Sequence, residues 1–219
     1  MRSEIISELK SHQDPAYAEF TRRLTPDAGS ILGVRIPVLR KMAKQILRQD
    51  PVLFLQEVRN ESLEEDLLEV LVIGGMKADF LQQSQWIARV VPKIRNWAVN
   101  DTLTSSLRGS VKDKTAFWKF LQPYLHSDQE QEQRFALISL KNCFLEKDDL
   151  PRIFTLLRTL DCRGYYARMA AAWLIAECAA KFPKPTKKFL DSYRRDPEVK
   201  KMALRKIRES FRTASFQKL

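Results

Sequence analysis

Trp97 and Asp101 stand four residues apart in the stretch KIRNWAVNDTL, with Lys93 and Arg95 just before them. Residues four apart stack on one face of a helix, so a helical reading puts an electron-rich ring beside a carboxylate. Both groups attract positive charge, the carboxylate through its formal charge and the ring through its face. Two readings stand for each residue. Asp101 is either a functional anion or an exposed carboxylate near a helix start, where the helix dipole favours it. Trp97 is either a recognition platform or a core anchor.

Two further stretches carry residues of the same kind. EQRFALISLKNCF is apolar almost all round, as expected of a helix between neighbours, yet it opens with Arg134 and returns Lys141 seven residues later. A cation on a buried helix needs a partner, either a structural carboxylate or a phosphate of a ligand. YYARMAAAWLIAECAA has a similar texture, its small residues permitting close helix packing and Trp173 being its one bulky polar-edged member. Tyr166 and Met169 lie on about the same face, so a core stripe and a site wall are both open.

The elements that position these residues read as helices throughout. Apolar residues recur at three and four spacing, without a strand-like alternation. The expected helices are Arg2–Ser11, Pro15–Leu24, Pro37–Arg48, Pro51–Arg59, Leu63–Met76, Phe80–Val91, Asn96–Gly109, Lys114–Leu125, Glu130–Leu145, Leu150–Leu160, Tyr165–Lys181, Thr186–Tyr193 and Pro197–Phe211. Asp50 before Pro51 and Asp196 before Pro197 are helix starts, the carboxylate capping free amides and the proline sitting where its missing N–H costs nothing. PDAGSILGVRIP is the clearest ordered loop. Trp97, Arg134 and Trp173 follow at intervals of 37 and 39 residues, close to the HEAT-type period of about 40. Equivalent positions in stacked helical hairpins line one concave surface, which a further step extends into the basic helix EVKKMALRKIRESFR.

Composition narrows the function classes. Lys and Arg total 38 against 27 acidic residues, a net charge of +11 with a pI near 9.7. That balance favours a polyanionic partner, bound by electrostatic attraction and counterion release. The first residues lack the apolar centre of a secretory signal, and no apolar run approaches the roughly 20 residues of a membrane helix. A soluble, cytoplasmic protein is expected. Cys143, Cys162 and Cys178 match no zinc spacing and read as buried reduced thiols; two histidines give a metal centre or a Cys-His pair little to build on.

Taken together, LGVRIPVLRKMAKQI, NWAVND, EQRFALISL and YYARMAAAWLIAECAAKF resemble the AlkD-type DNA alkylation repair family of HEAT-like-repeat DNA glycosylases, over nearly the whole chain. The resemblance implies an all-α, HEAT-like α-α superhelix, a curved solenoid of helical hairpins forming a single domain over residues 1–219. It implies Asp101 as catalytic carboxylate, with Trp97, Trp173 and the phosphate-side Arg134 completing the site. Asn96 stands where some members carry a second aromatic. The implied activity is excision of cationic N3- or N7-alkylated purines from duplex DNA without base flipping, by a monomer needing no cofactor or metal. A carboxylate stabilises the oxocarbenium-like sugar of that reaction and orients water, while tryptophan faces attract the cation. Arg35, Arg95, Arg134, Lys141, Lys200, Lys201, Arg205 and Arg208 are the cations expected at DNA. The alternatives are a catalytically silent module binding damaged or distorted DNA and a helical-repeat scaffold for a protein partner.

Overall fold

In the computed structural model, residues 1–218 are described. The fold class is the expected one: among the described residues every regular element is helical. The chain forms two compact units, Met1–Lys112 and Asp113–Leu219.

The first unit contains α1 (Arg2–Ser11), α2 (Pro15–Leu24), α3 (Ile36–Arg48), α4 (Pro51–Glu57), α5 (Leu63–Gly75), α6 (Phe80–Val90) and α7 (Trp97–Leu107), with short 3-10 turns at Pro26–Ala28 and Val91–Lys93. α5 packs between α3 and α7, and the intervening α4 and α6 pack onto this layer. With neighbours on both sides, α5 is buried over almost its whole length, including three of its acidic residues, Glu64, Glu65 and Glu69. Buried carboxylates require donors. Glu64 accepts the amides of Leu32 (2.9 Å), Gly33 (2.8 Å) and Val34 (3.2 Å), fastening the loop that leads into α3. Glu65 accepts the Arg2 guanidinium at 2.7 Å and the Glu61 and Arg59 amides. Burial opposes ionisation of Glu65, but these donors outweigh it and hold its carboxyl below the ordinary range. Gly33 adopts φ +86°, and a Cβ there would overlap the Asp14 carbonyl, so this loop position admits only glycine without rearrangement.

The second unit contains α8 (Lys114–Leu125), α9 (Glu130–Cys143), α10 (Leu150–Thr159), α11 (Gly164–Lys181), α12 (Pro183–Ser192), α13 (Pro197–Glu209) and α14 (Ala214–Gln217), with 3-10 turns at Lys147–Asp149 and Phe211–Thr213. α11 packs between α9 and α13, while α8 lies on α9 and α12 on α11. Ala167, Ala170, Ala171 and Ala172 are buried, and their small side chains let the neighbouring helices approach α11 closely. Gln133 ties the hairpin together: its amide donates to the carbonyls of Leu125 (3.1 Å) and Asp161 (2.9 Å), and its oxygen accepts the Arg163 amide (2.7 Å).

The expected helix starts at Pro51 and Pro197 hold. Asp50 accepts the Leu53 amide, and Asp196 accepts those of Glu198 and Val199. Elsewhere the boundaries differ for local reasons. α12 begins at Pro183, not Thr186, because Pro183 and Pro185 both fall in a first turn that needs no N–H donors. α13 ends at Glu209, and the expected extension to Phe211 is replaced by a 3-10 turn and the short α14. Cys162 and Cys178 are buried, but Cys143, at the last turn of α9, is only half-buried.

Candidate active site

In the first unit, Trp97 occupies the first position of α7. The helix starts there because the Asn96 side chain accepts the Val99 amide at 3.1 Å, so the residue standing in place of a second aromatic serves as a helix cap. The indole N–H of Trp97 donates to the Leu24 carbonyl at the end of α2, at 2.9 Å. One turn along α7, half-buried Asp101 shares its face. Trp97 and Asp101 line one cavity of about 370 Å³, walled by Tyr17, Phe20, Leu24, Ile36 and Leu67, with Arg40 and Glu64 among its few charged groups. Phe20 and Leu24 are 56% and 50% exposed, so this wall is open to solvent and is not a sealed core.

Arg35, at the N-cap of α3, donates to Asp14 at 3.0 Å and lies 4.5 Å from the centre of the Tyr17 ring. The Tyr17 amide and then the Arg35 guanidinium hold the Asp14 carboxyl below its ordinary range. Arg95 is exposed and lines a different cavity of the same unit. The sequence reading missed Tyr17 and Phe20. Their spacing of three on the amphipathic α2 was the available signal, since it places two aromatics on one side of that helix.

In the second unit, Arg134 is only 2% exposed. Its guanidinium donates to the Tyr166 carbonyl at 3.4 Å and stands 5.8 Å from the Tyr166 ring and 5.3 Å from the Trp173 ring. The Lys141 ammonium approaches the same indole at 5.8 Å. Two cations therefore attend one half-buried tryptophan, a favourable pairing for a quadrupolar ring. Lys141 and Trp173 also line a cavity of about 290 Å³ with Glu177, Lys206 and Thr213. On α13, Lys201, Arg205 and Arg208 are exposed and Lys200 is half-buried. Arg205 pairs with Glu209 at 2.7 Å and Lys201 with Glu198 at 3.7 Å, contacts between exposed groups that a polyanion can outcompete.

Residues 5–212 match the family model described as DNA alkylation repair enzyme. The protein belongs to that family. Its role therefore lies in the repair of alkylated DNA, with DNA as substrate. Comparison with individually curated proteins gives no match. Among the described residues no helix is long and apolar enough to cross a membrane.

Proposed function

We propose that the protein is a monomeric DNA glycosylase that releases cationic N3- or N7-alkylated purines from duplex DNA, with Asp101 as the catalytic carboxylate. The observation that carries this reading is the shared wall of Trp97 and Asp101 in the first unit's open cavity. Alkylation at a purine ring nitrogen makes the base cationic and a better leaving group. The bond from C1′ to the base nitrogen breaks with its electron pair going to the base, which neutralises the base and leaves positive charge on the deoxyribose. The Asp101 carboxylate stabilises that charge and orients the water that adds to C1′, taking the proton the water loses. The Trp97 face contributes further attraction for the cation, its ring anchored through the bond to Leu24.

In the second unit, Arg134 acts by fixing Trp173 and Tyr166 rather than as an exposed phosphate contact, given its burial. Lys200, Lys201, Arg205 and Arg208 hold backbone phosphates, which position DNA without reading sequence. No cofactor is required by this scheme. Single-turnover release of 3-methyl and 7-methyl purines from methylated duplex DNA tests it. Excision that depends on Asp101 supports the reading. Salt-sensitive duplex binding without excision of any cationic lesion would replace it with a silent damage-binding module.

A further inference from the structure

A second cavity in the first unit, of about 480 Å³, has a charge arrangement that glycosidic cleavage does not use. Its walls come from the turn after α2, which brings exposed Asp27, the loop after α4, the N-terminal half of α5 and the turn before α7. Asp66 and Glu69, three apart on α5, form one side. Glu69 is 1% exposed, and its one hydrogen bond among those resolved is from the Asn60 side chain at 2.7 Å. Burial pushes both carboxyls up, Asp66 to about 7 with Glu69, Glu65 and Glu64 adding to the effect, and Glu69 against the opposing pull of Asn60, Lys93 and Arg89. Arg59, Lys93 and Arg95 line the same space and are exposed. Among the described residues no close ion pair joins these carboxylates to these cations, and Lys93 acts on Glu69 only at longer range. Opposite charges thus flank one cavity without closing on each other. Its volume falls in the range of small-molecule sites.

We propose that this cavity binds a small zwitterion, its guanidinium or ammonium group on Asp66 and Glu69 and its carboxylate or phosphate on Arg59, Lys93 and Arg95. A purely cationic ligand satisfies the acidic side but meets the positive charges of Arg59, Lys93 and Arg95. A DNA phosphate satisfies the basic side but brings negative charge toward half-buried Asp66 and buried Glu69. A metal ion is disfavoured by the donor set, since among the described residues no group of three or more His, Cys, Asp or Glu side chains is placed to hold one. A zwitterion answers both charges at once, and charge-assisted hydrogen bonds to each end fix its orientation. This inference is independent of the glycosylase reading.

The test is calorimetric titration of the full chain with L-arginine and with phosphoethanolamine, which separate a carboxylate from a phosphate tail. Agmatine, which has the guanidinium of arginine but no carboxylate, serves as control. Saturable one-to-one binding of at least one zwitterion is expected, with agmatine at least ten-fold weaker than arginine if arginine is the one bound. Asp66→Asn and Glu69→Gln should each weaken that binding at least ten-fold, and their melting curves show whether the fold is retained. The surroundings of Asp66 already favour its uncharged form, so that variant is expected to fold. Arg59→Ala should weaken the zwitterion without affecting a cation-only ligand. No saturable binding of either zwitterion, agmatine binding as tightly as arginine, or wild-type affinity in folded Asp66→Asn would overturn the proposal.

Discussion

Glu64 couples the stability of the first unit to the shape of its candidate site, and the coupling can be measured. Its carboxylate receives three backbone amides from Leu32, Gly33 and Val34, and it also lines the cavity containing Trp97 and Asp101. Glu64→Gln keeps the side-chain shape but turns one acceptor into a donor that faces an amide. One bond is lost, and the others lose their charge assistance. With about 1–3 kcal/mol for a buried donor left without its partner, the Gln variant should be destabilised by about 2 kcal/mol. Glu64→Ala strips all three acceptors. Water can reach the part-buried Leu32 amide, so the Ala variant should lose about 3–5 kcal/mol and not three full penalties. For a chain of this length 1 kcal/mol moves the melting midpoint by about 2–4 °C. The Gln variant should therefore melt about 4–8 °C below wild type, with Ala lower still, in differential scanning calorimetry at neutral pH. Excision rates measured well below both transitions should fall as well, because the loop forms part of the cavity wall. Melting midpoints of both variants within 1 °C of wild type would refute the claim that Glu64 carries this loop.

Reversing two exposed cations of α13, as Lys201→Glu with Arg205→Glu, should weaken binding to duplexes of any sequence and reduce the slope of log affinity against log salt by about two contacts' worth; an unchanged slope would remove α13 from the DNA surface. Asp66 has a carboxyl raised to about 7 by burial, assisted by Glu69, Glu65 and Glu64 and opposed by Asn60, so its contribution to stability is fully present below the ordinary aspartate range and is lost as pH rises toward and through 7. Asp66→Asn should flatten that decline, and parallel melting-versus-pH curves for the two proteins would contradict it. Trp97→Phe removes the bond to the Leu24 carbonyl but keeps an aromatic face, so excision should fall less than in Trp97→Ala. Equal loss in both would make the indole N–H, and not the ring face, the contributing group.

The helical class and most of the elements were legible from periodicity, because amphipathic helices packed in layers repeat their apolar residues at three and four. The Trp97 and Asp101 pair was legible for the same reason: helical geometry alone places them on one face. Tyr17 and Phe20 were harder to find, since their place in the cavity beside Trp97 depends on how α2 returns toward α7, and nothing local in YAEF encodes that. Burial of Arg134 was half visible. The apolar surroundings implied a buried cation, but its place against the Tyr166 carbonyl and two aromatic rings depends on how α11 packs on α9. The acidic run LEEDLLEV on α5 carries no local sign of its burial. In the fold it is central: Glu64 answers the Leu32, Gly33 and Val34 amides and Glu65 the Arg2 guanidinium, partners that spacing along one helix does not contain.

Glycosidic cleavage at this site depends most heavily on the negative charge of Asp101. Asp101→Asn preserves the shape of the side chain while removing its charge, so the fold and much of the DNA affinity should survive. Loss of one well-placed electrostatic group lowers an enzymatic rate by about 10²- to 10³-fold, less where the base already leaves readily. The decisive measurement is single-turnover release of 7-methylguanine and 3-methyladenine from methylated duplex DNA at saturating protein, with a melting curve and a binding isotherm for each variant. Wild-type excision, slowed by that factor in a folded, DNA-binding Asn variant, is the result the account predicts. Equal rates for the two proteins, or no release by wild type, would contradict it.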